Sequence, residues 1–174
     1  GSGFENSSGG GAWKLGICQN QMFCGNLKTG TRTFVQNFKF PKSFKYVTQV
    51  IVTAMSSDGQ NMTDVLAGVG ASAALMISDI PWSGPIATVR VGRIEGEFVV
   101  NPTREQMENS DMEIVVSGND QTIVMVEGEA ELISEKEFLD AMKFAHNPIK
   151  EIITLQIQLC DQLDIAKREI PSDN

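Results

Sequence analysis

Between Thr63 and Ser78 the chain reads TDVLAGVGASAALMIS, and no other stretch constrains the fold as tightly. Thr63 is a suitable helix N-cap, and Asp64 suits the positive end of a helix dipole. The spacing predicts a helix over 63–78. Its body is built from small residues. In an exposed helix Gly68 and Gly70 would each cost about 1 kcal/mol relative to Ala. A helix keeps such residues when its backbone must lie close to a sheet or another helix. This one is therefore expected to be buried and tightly packed.

The flanking text supplies the sheet. Val47 to Met55 (VTQVIVTAM) is dense in β-branched residues and has the length of a buried strand, with a turn at Ser56 to Gly59. The prolines and glycine of DIPWSGP, Asp79 to Pro85, end the helix. Ile86 to Ile94 and Glu97 to Val100 form a hairpin about Glu95-Gly96, and Met112 to Ser117 and Thr122 to Glu127 form a second about Gly118-Asn119-Asp120. Thr31 to Phe38 reads as a further strand. Ser134-Glu135-Lys136-Glu137 is a capping box, followed by Phe138, Leu139, Met142 and Ala145 at helical spacing. Pro148 is expected to interrupt that helix. A second helix then runs from Ile149 to about Ala166, with Ile149, Ile152, Ile153, Leu159 and Leu163 on one stripe. The pattern is an α+β domain with a helical tail. Residues 1–11 read as a flexible Gly/Ser-rich lead-in, with Gly1-Ser2-Gly3 as a tag remnant.

At 174 residues and 19.0 kDa the chain suits one domain with a sizeable core. It shows no apolar run near the roughly 18 residues of a membrane span and no secretory leader. Its net charge of −8 is unevenly placed: residues 1–94 carry +4 and residues 95–174 carry −12. That balance argues against duplex DNA, where affinity comes from neutralised phosphates. It leaves a basic first part, with six Lys/Arg against one acid in residues 1–57, that could guide a single-stranded polyanion. The candidate RNA contacts are Arg32, Lys39, Lys42 and Lys45, with Arg93 in the VRVGR strand. Arg90 and Arg93, three apart, face opposite sides of a regular strand.

Three cysteines, Cys18, Cys24 and Cys160, point to a reducing interior. Together with the single histidine, His146, their spacing fits no compact zinc module. No phosphate loop, HExxH or GxSxG occurs. Glu127/Glu129 and Asp111/Glu113 are carboxylate pairs two residues apart that could hold Mg²⁺, although solvated strand-edge charge is the better account of them. Trp82 could stack a base or pack under its loop. From these residues no catalytic centre and no metal site is assigned.

The text FPKSFKYVTQVIVTAMSSDG, DVLAGVGASAALMISDIPWSGPIATVRVGRIEGEFVVNPT, SDMEIVVSG and VMVEGEAELISEKEFLDAMKFAH resembles the polynucleotide phosphorylase family. More narrowly, it resembles the C-terminal part of the first of that family's two ribonuclease PH-like domains, with the start of the helical segment that follows. The resemblance implies a mixed sheet with packed helices over residues 41–132, a helical segment over 133–170, and a divergent segment over 12–40. Upstream of Phe40-Pro41 the family's Arg-containing loop does not carry over. The family degrades RNA from its 3′ end by phosphorolysis. It works as a trimer with an RNA channel, assisted by Mg²⁺ and phosphate, and its catalysis sits in the other ribonuclease PH-like domain. Laid on this chain through Gly70-Ala71-Ser72, the phosphate-holding serines of that catalytic domain fall on Met62, Thr63 and Asp64. Its catalytic Asp and Lys fall on Glu113 and Val115. The resemblance thus implies a non-catalytic domain without cofactors of its own, in a cytoplasmic protein or one of an organelle matrix. The alternative is a stand-alone single-stranded RNA-binding or protein-association module.

Overall fold

In the computed structural model the described residues are 12–18, 21–26, 36–37 and 48–169. β1 (Ala12–Cys18) and β2 (Gln21–Asn26) form an antiparallel pair. β3 (Gln36–Asn37) lies outside β2, and β4 (Thr48–Thr53) pairs with β1, with Ala12 opposite Thr53 and Ile17 opposite Thr48. The strand order is β3-β2-β1-β4. Segment 12–40, in which the sequence suggested only one strand, thus contributes strands beside β4. Of the strand expected over 31–38, only Gln36–Asn37 falls within the described residues.

α1 (Asp64–Met76) follows, then β5 (Ala87–Ile94) and β6 (Glu97–Val100), then the one-turn α2 (Arg104–Met107). β7 (Ser110–Gly118) and β8 (Ile123–Ala130) form the second hairpin, and α3 (Glu135–Leu163) closes the described fold. This sheet has the order β6-β5-β7-β8 and every pairing in it is antiparallel. The α+β architecture is as expected. The strand directions correct the expected mixed sheet: β5 and β6, and β7 and β8, are hairpins, and β5 meets β7 antiparallel as well. The Glu95-Gly96 turn has positive φ at both residues, 51° and 84°, the primed geometry that matches strand twist.

Burial explains the strand text. On one face Ala87, Val89, Val91, Met112, Ile114 and Val116 pack against Ala141, Ala145, Ile149 and Ile153 of α3. Alanines at 141 and 145 let that helix sit low on the sheet, and the Phe98 and Phe144 rings close one side at a centroid distance of 5.6 Å. On the other face α1 lies between β5 and β4, where Ala71, Leu75 and Trp82 meet Val50, Val52, Ile80 and Ile86. β5 is covered on both faces, so burial is continuous from Ala87 to Gly92 although the residue types alternate, with Thr88 and Arg90 between Ala87, Val89 and Val91. Trp82 is a packing residue, 8% exposed.

α3 is a single helix of 29 residues and Pro148 lies inside it, which corrects the expected interruption. Proline removes one backbone donor and crowds the preceding turn. Here the nearby Ala145 and Ile149 are fully buried, and their packing keeps the helix continuous through the defect. Stripe positions Ile149 and Ile153 are buried, whereas Leu159 and Leu163 are 39% and 48% exposed.

Candidate functional site: the Asp64–Arg90–Glu113 triad

The N-terminus of α1 is set by a tight loop. Asp58 Oδ1 accepts from the backbone N–H of Gln60 and Asn61, at 2.9 and 2.8 Å, and these bonds hold its carboxyl below the usual range. Gln60 O accepts from Arg104 N at 3.0 Å, which ties the loop to α2. Thr63 occupies the N-cap position as expected, but with helical backbone angles and no side-chain cap. Asp64 instead accepts from Val65 N through Oδ1 at 2.9 Å and turns its other oxygen to Arg90.

Arg90 stands in the middle of β5 and is 1% exposed. Its backbone N–H donates to Asn101 Oδ1 at 2.9 Å, and its carbonyl accepts from Asn101 N at 2.7 Å. Its guanidinium is paired with Asp64 through Nη2 and with Glu113 of β7 through Nη1. A buried guanidinium is tolerated only with such partners, and losing one partner leaves an uncompensated charge. A cavity of about 160 Å³ lies beside this triad, lined in part by Met62, Val65, Arg90 and Asn101.

The three residues come together through tertiary structure alone. Asp64 belongs to a helix, Arg90 to one strand and Glu113 to another. The family resemblance lays Asp64 on a phosphate-holding serine and Glu113 on the catalytic Asp, whereas the sequence offers Arg90 and Arg93 as equivalent strand arginines. The signal that could have singled it out is position: residue 90 lies among residues buried on both faces of β5.

Arg93 has a separate environment. Nε and Nη2 donate to Asp111 Oδ1 and Oδ2 at 2.8 and 2.6 Å, a bidentate pair, and Nη1 donates to Glu137 Oε1 at 2.6 Å. The hydrogen bonds from Arg93 hold the Asp111 carboxyl below its ordinary value. Glu137 is held low first by the Ser134 hydroxyl and backbone N–H, then by Arg93. Arg32, Lys39, Lys42 and Lys45 lie outside the described residues.

The arrangement does not fit Mg²⁺ or phosphate. Asp64 and Glu113 straddle a guanidinium that a metal ion would have to displace, and a phosphate at the start of α1 would meet the Asp64 carboxylate. Asp111 is committed to Arg93. Among the described residues no three His, Cys, Asp or Glu gather as a metal site, and no helix is long and apolar enough to cross a membrane.

The fold and this site define a class. Residues 84–147 match the 3′ exoribonuclease family, domain 2. The solved structure of rice Rrp46 shares the fold with a TM-score of 0.57 at 12% identity, over 66% of this chain and 55% of that one. Curated relatives narrow the class. The polyribonucleotide nucleotidyltransferase of Syntrophotalea carbinolica is 52% identical over 130 residues, 75% of this chain and 19% of that protein. That of Geotalea uraniireducens is 48% identical over 132 residues, 76% of this chain and 19% of that protein. That of Deinococcus radiodurans is 51% identical over 120 residues, 69% of this chain and 15% of that protein. The chain belongs to the polyribonucleotide nucleotidyltransferase family, matching the region of its first ribonuclease PH-like domain. It spans about a fifth of the length of the curated relatives it matches.

Proposed function

We propose that this chain is a non-catalytic structural domain of a polyribonucleotide nucleotidyltransferase, a cytoplasmic phosphorolytic exoribonuclease that acts on single-stranded RNA. The observation that carries the reading is the Asp64–Arg90–Glu113 triad. Where a phosphorolytic site needs donors and a cation facing outward to an incoming phosphate, this chain places its own carboxylates around its one buried guanidinium among the described residues. An internal anion already fills the position. On this reading the chain is a scaffold, a sheet held between two helices, that lends itself to the trimeric ring and RNA path of a longer enzyme.

The test is phosphorolysis of poly(A) with inorganic phosphate. The chain alone releases no ADP, and adding Mg²⁺ changes nothing. ADP release by the purified chain alone overturns the proposal.

The charge asymmetry supports a second reading, in which the basic first part contacts RNA without catalysis. Arg32, Lys39, Lys42 and Lys45 carry it. Arg93 contributes little, because its guanidinium is bound to two carboxylates. Affinity for single-stranded RNA should then fall steeply as salt rises. Salt-independent binding, or none at low salt, eliminates this reading.

A further inference from the structure

The segment after α3 turns back onto α1. α3 stops at Asp164, whose φ of 45° is left-handed and whose N–H donates to Cys160 O at 3.1 Å. Arg168 then reaches Asp79, just beyond α1. Its backbone N–H donates to Asp79 O at 2.7 Å, and its Nε and Nη2 donate to Asp79 Oδ2 at 3.0 and 2.6 Å. Between these, Lys167 Nζ donates to Leu75 O, Met76 O and Ser78 O at 3.0, 2.8 and 2.8 Å.

The chemistry at this point is matched in number and sign. A helix leaves its last carbonyls without intrahelical donors, and they form the negative end of its dipole. α1 has no basic residue in its own last turn. Lys167 supplies one from about ninety residues away, with three carbonyl acceptors for the three N–H groups of an ammonium. The opposite end of α1 is held by Arg90 through Asp64. α1 is therefore fixed at both ends by cations from other elements.

We propose that Lys167 and Arg168 form a charge-dependent clasp that fastens the end of α3 to the end of α1. The charge is required because a neutralised, acylated Lys167 keeps one N–H for three carbonyls and loses its attraction to the helix end. Arg168 alone then holds the segment, through its backbone bond to Asp79 O and an exposed ion pair that contributes little.

The test uses the full chain. An N-hydroxysuccinimide ester of acetate is applied at neutral pH and each lysine is followed by mass spectrometry. Burial lowers the Lys167 pKa and so favours the reactive neutral amine, but its three carbonyl contacts must open before the amine can attack, and on balance Lys167 should be acetylated about tenfold more slowly than Lys143. Lys143 has a 77% exposed side chain. Equal rates overturn the clasp. Hydrogen exchange supplies a second readout. Lys167→Gln should speed exchange of the Arg168 amide about tenfold or more by freeing the segment locally, with the β5 and β7 amides unchanged. Lys167→Arg should keep most of the protection. Unchanged exchange in Lys167→Gln also overturns the proposal. Neither readout involves RNA or phosphate, so the clasp and the functional reading can fail separately.

Discussion

Gly68 of α1 and Thr88 of β5 meet so closely that a Cβ built on the glycine would lie 2.8 Å from Thr88 Oγ1. That hydroxyl cannot easily move, because it shares a buried hydrogen bond of 2.7 Å with Ser117 Oγ. The approach is what brings Asp64, one turn earlier on the helix, within reach of Arg90.

The contact predicts opposite outcomes at two glycines of one helix. Gly68→Ala should destabilise the chain by about 1–3 kcal/mol, the usual range for overpacking. Gly70 has nothing within 4 Å of its would-be Cβ, so Gly70→Ala should stabilise by about 0.5–1 kcal/mol through helix propensity. Urea unfolding midpoints of the two variants check this, and a shift of the same sign in both would refute the packing account.

Arg90→Met should cost about 3–5 kcal/mol, as for the breaking of a buried ion pair. It leaves Asp64 and Glu113 facing each other without a counter-charge. The triple change Asp64→Asn, Arg90→Met, Glu113→Gln should recover much of that loss. Chemical denaturation of the single and triple variants measures both, and a triple variant no better than the single one would show that charge is not the cause.

Asp111 and Glu137 titrate below their ordinary values when folded. Their stabilisation is therefore complete above the ordinary carboxylate range, about pH 4, and is lost as pH falls through the lowered values. Arg93→Gln removes the partner of both. Its stability should decline less steeply than that of the parent between about pH 5 and 2. Urea midpoints across that range decide it, with parallel curves as the contrary result.

Pro148→Ala should stabilise α3, by up to about 3 kcal/mol, because alanine restores a backbone donor to the helix interior and removes the ring. A thermal melt that leaves the midpoint unchanged or lower would mean that the proline ring itself carries packing.

Local chemistry was legible in the sequence. The capping box is present as read, with Ser134 Oγ accepting from Glu137 N at 3.3 Å and Glu137 Oε2 accepting from Ser134 N at 2.8 Å. Both hairpins, the Glu95-Gly96 turn and the limits of α1 were read within a few residues, because turn residues and periodicity act over short spans. Pro148 misled because proline argues locally for a break, whereas Ala145 and Ile149 are held by a sheet far away in sequence. Gly70 misled in the opposite sense: it was read with Gly68 as a packing glycine, yet it faces open space.

By itself the sequence determined the elements, their order and the presence of the Asp64 carboxylate at the start of α1. Only the tertiary structure decided that Arg90 rather than Arg93 neutralises that carboxylate, and that Lys167 supplies the charge α1 lacks at its end. Helix and turn signals come from neighbours along the chain. A buried charge finds its partner only when packing brings distant elements together, and that distance is not written in residue spacing.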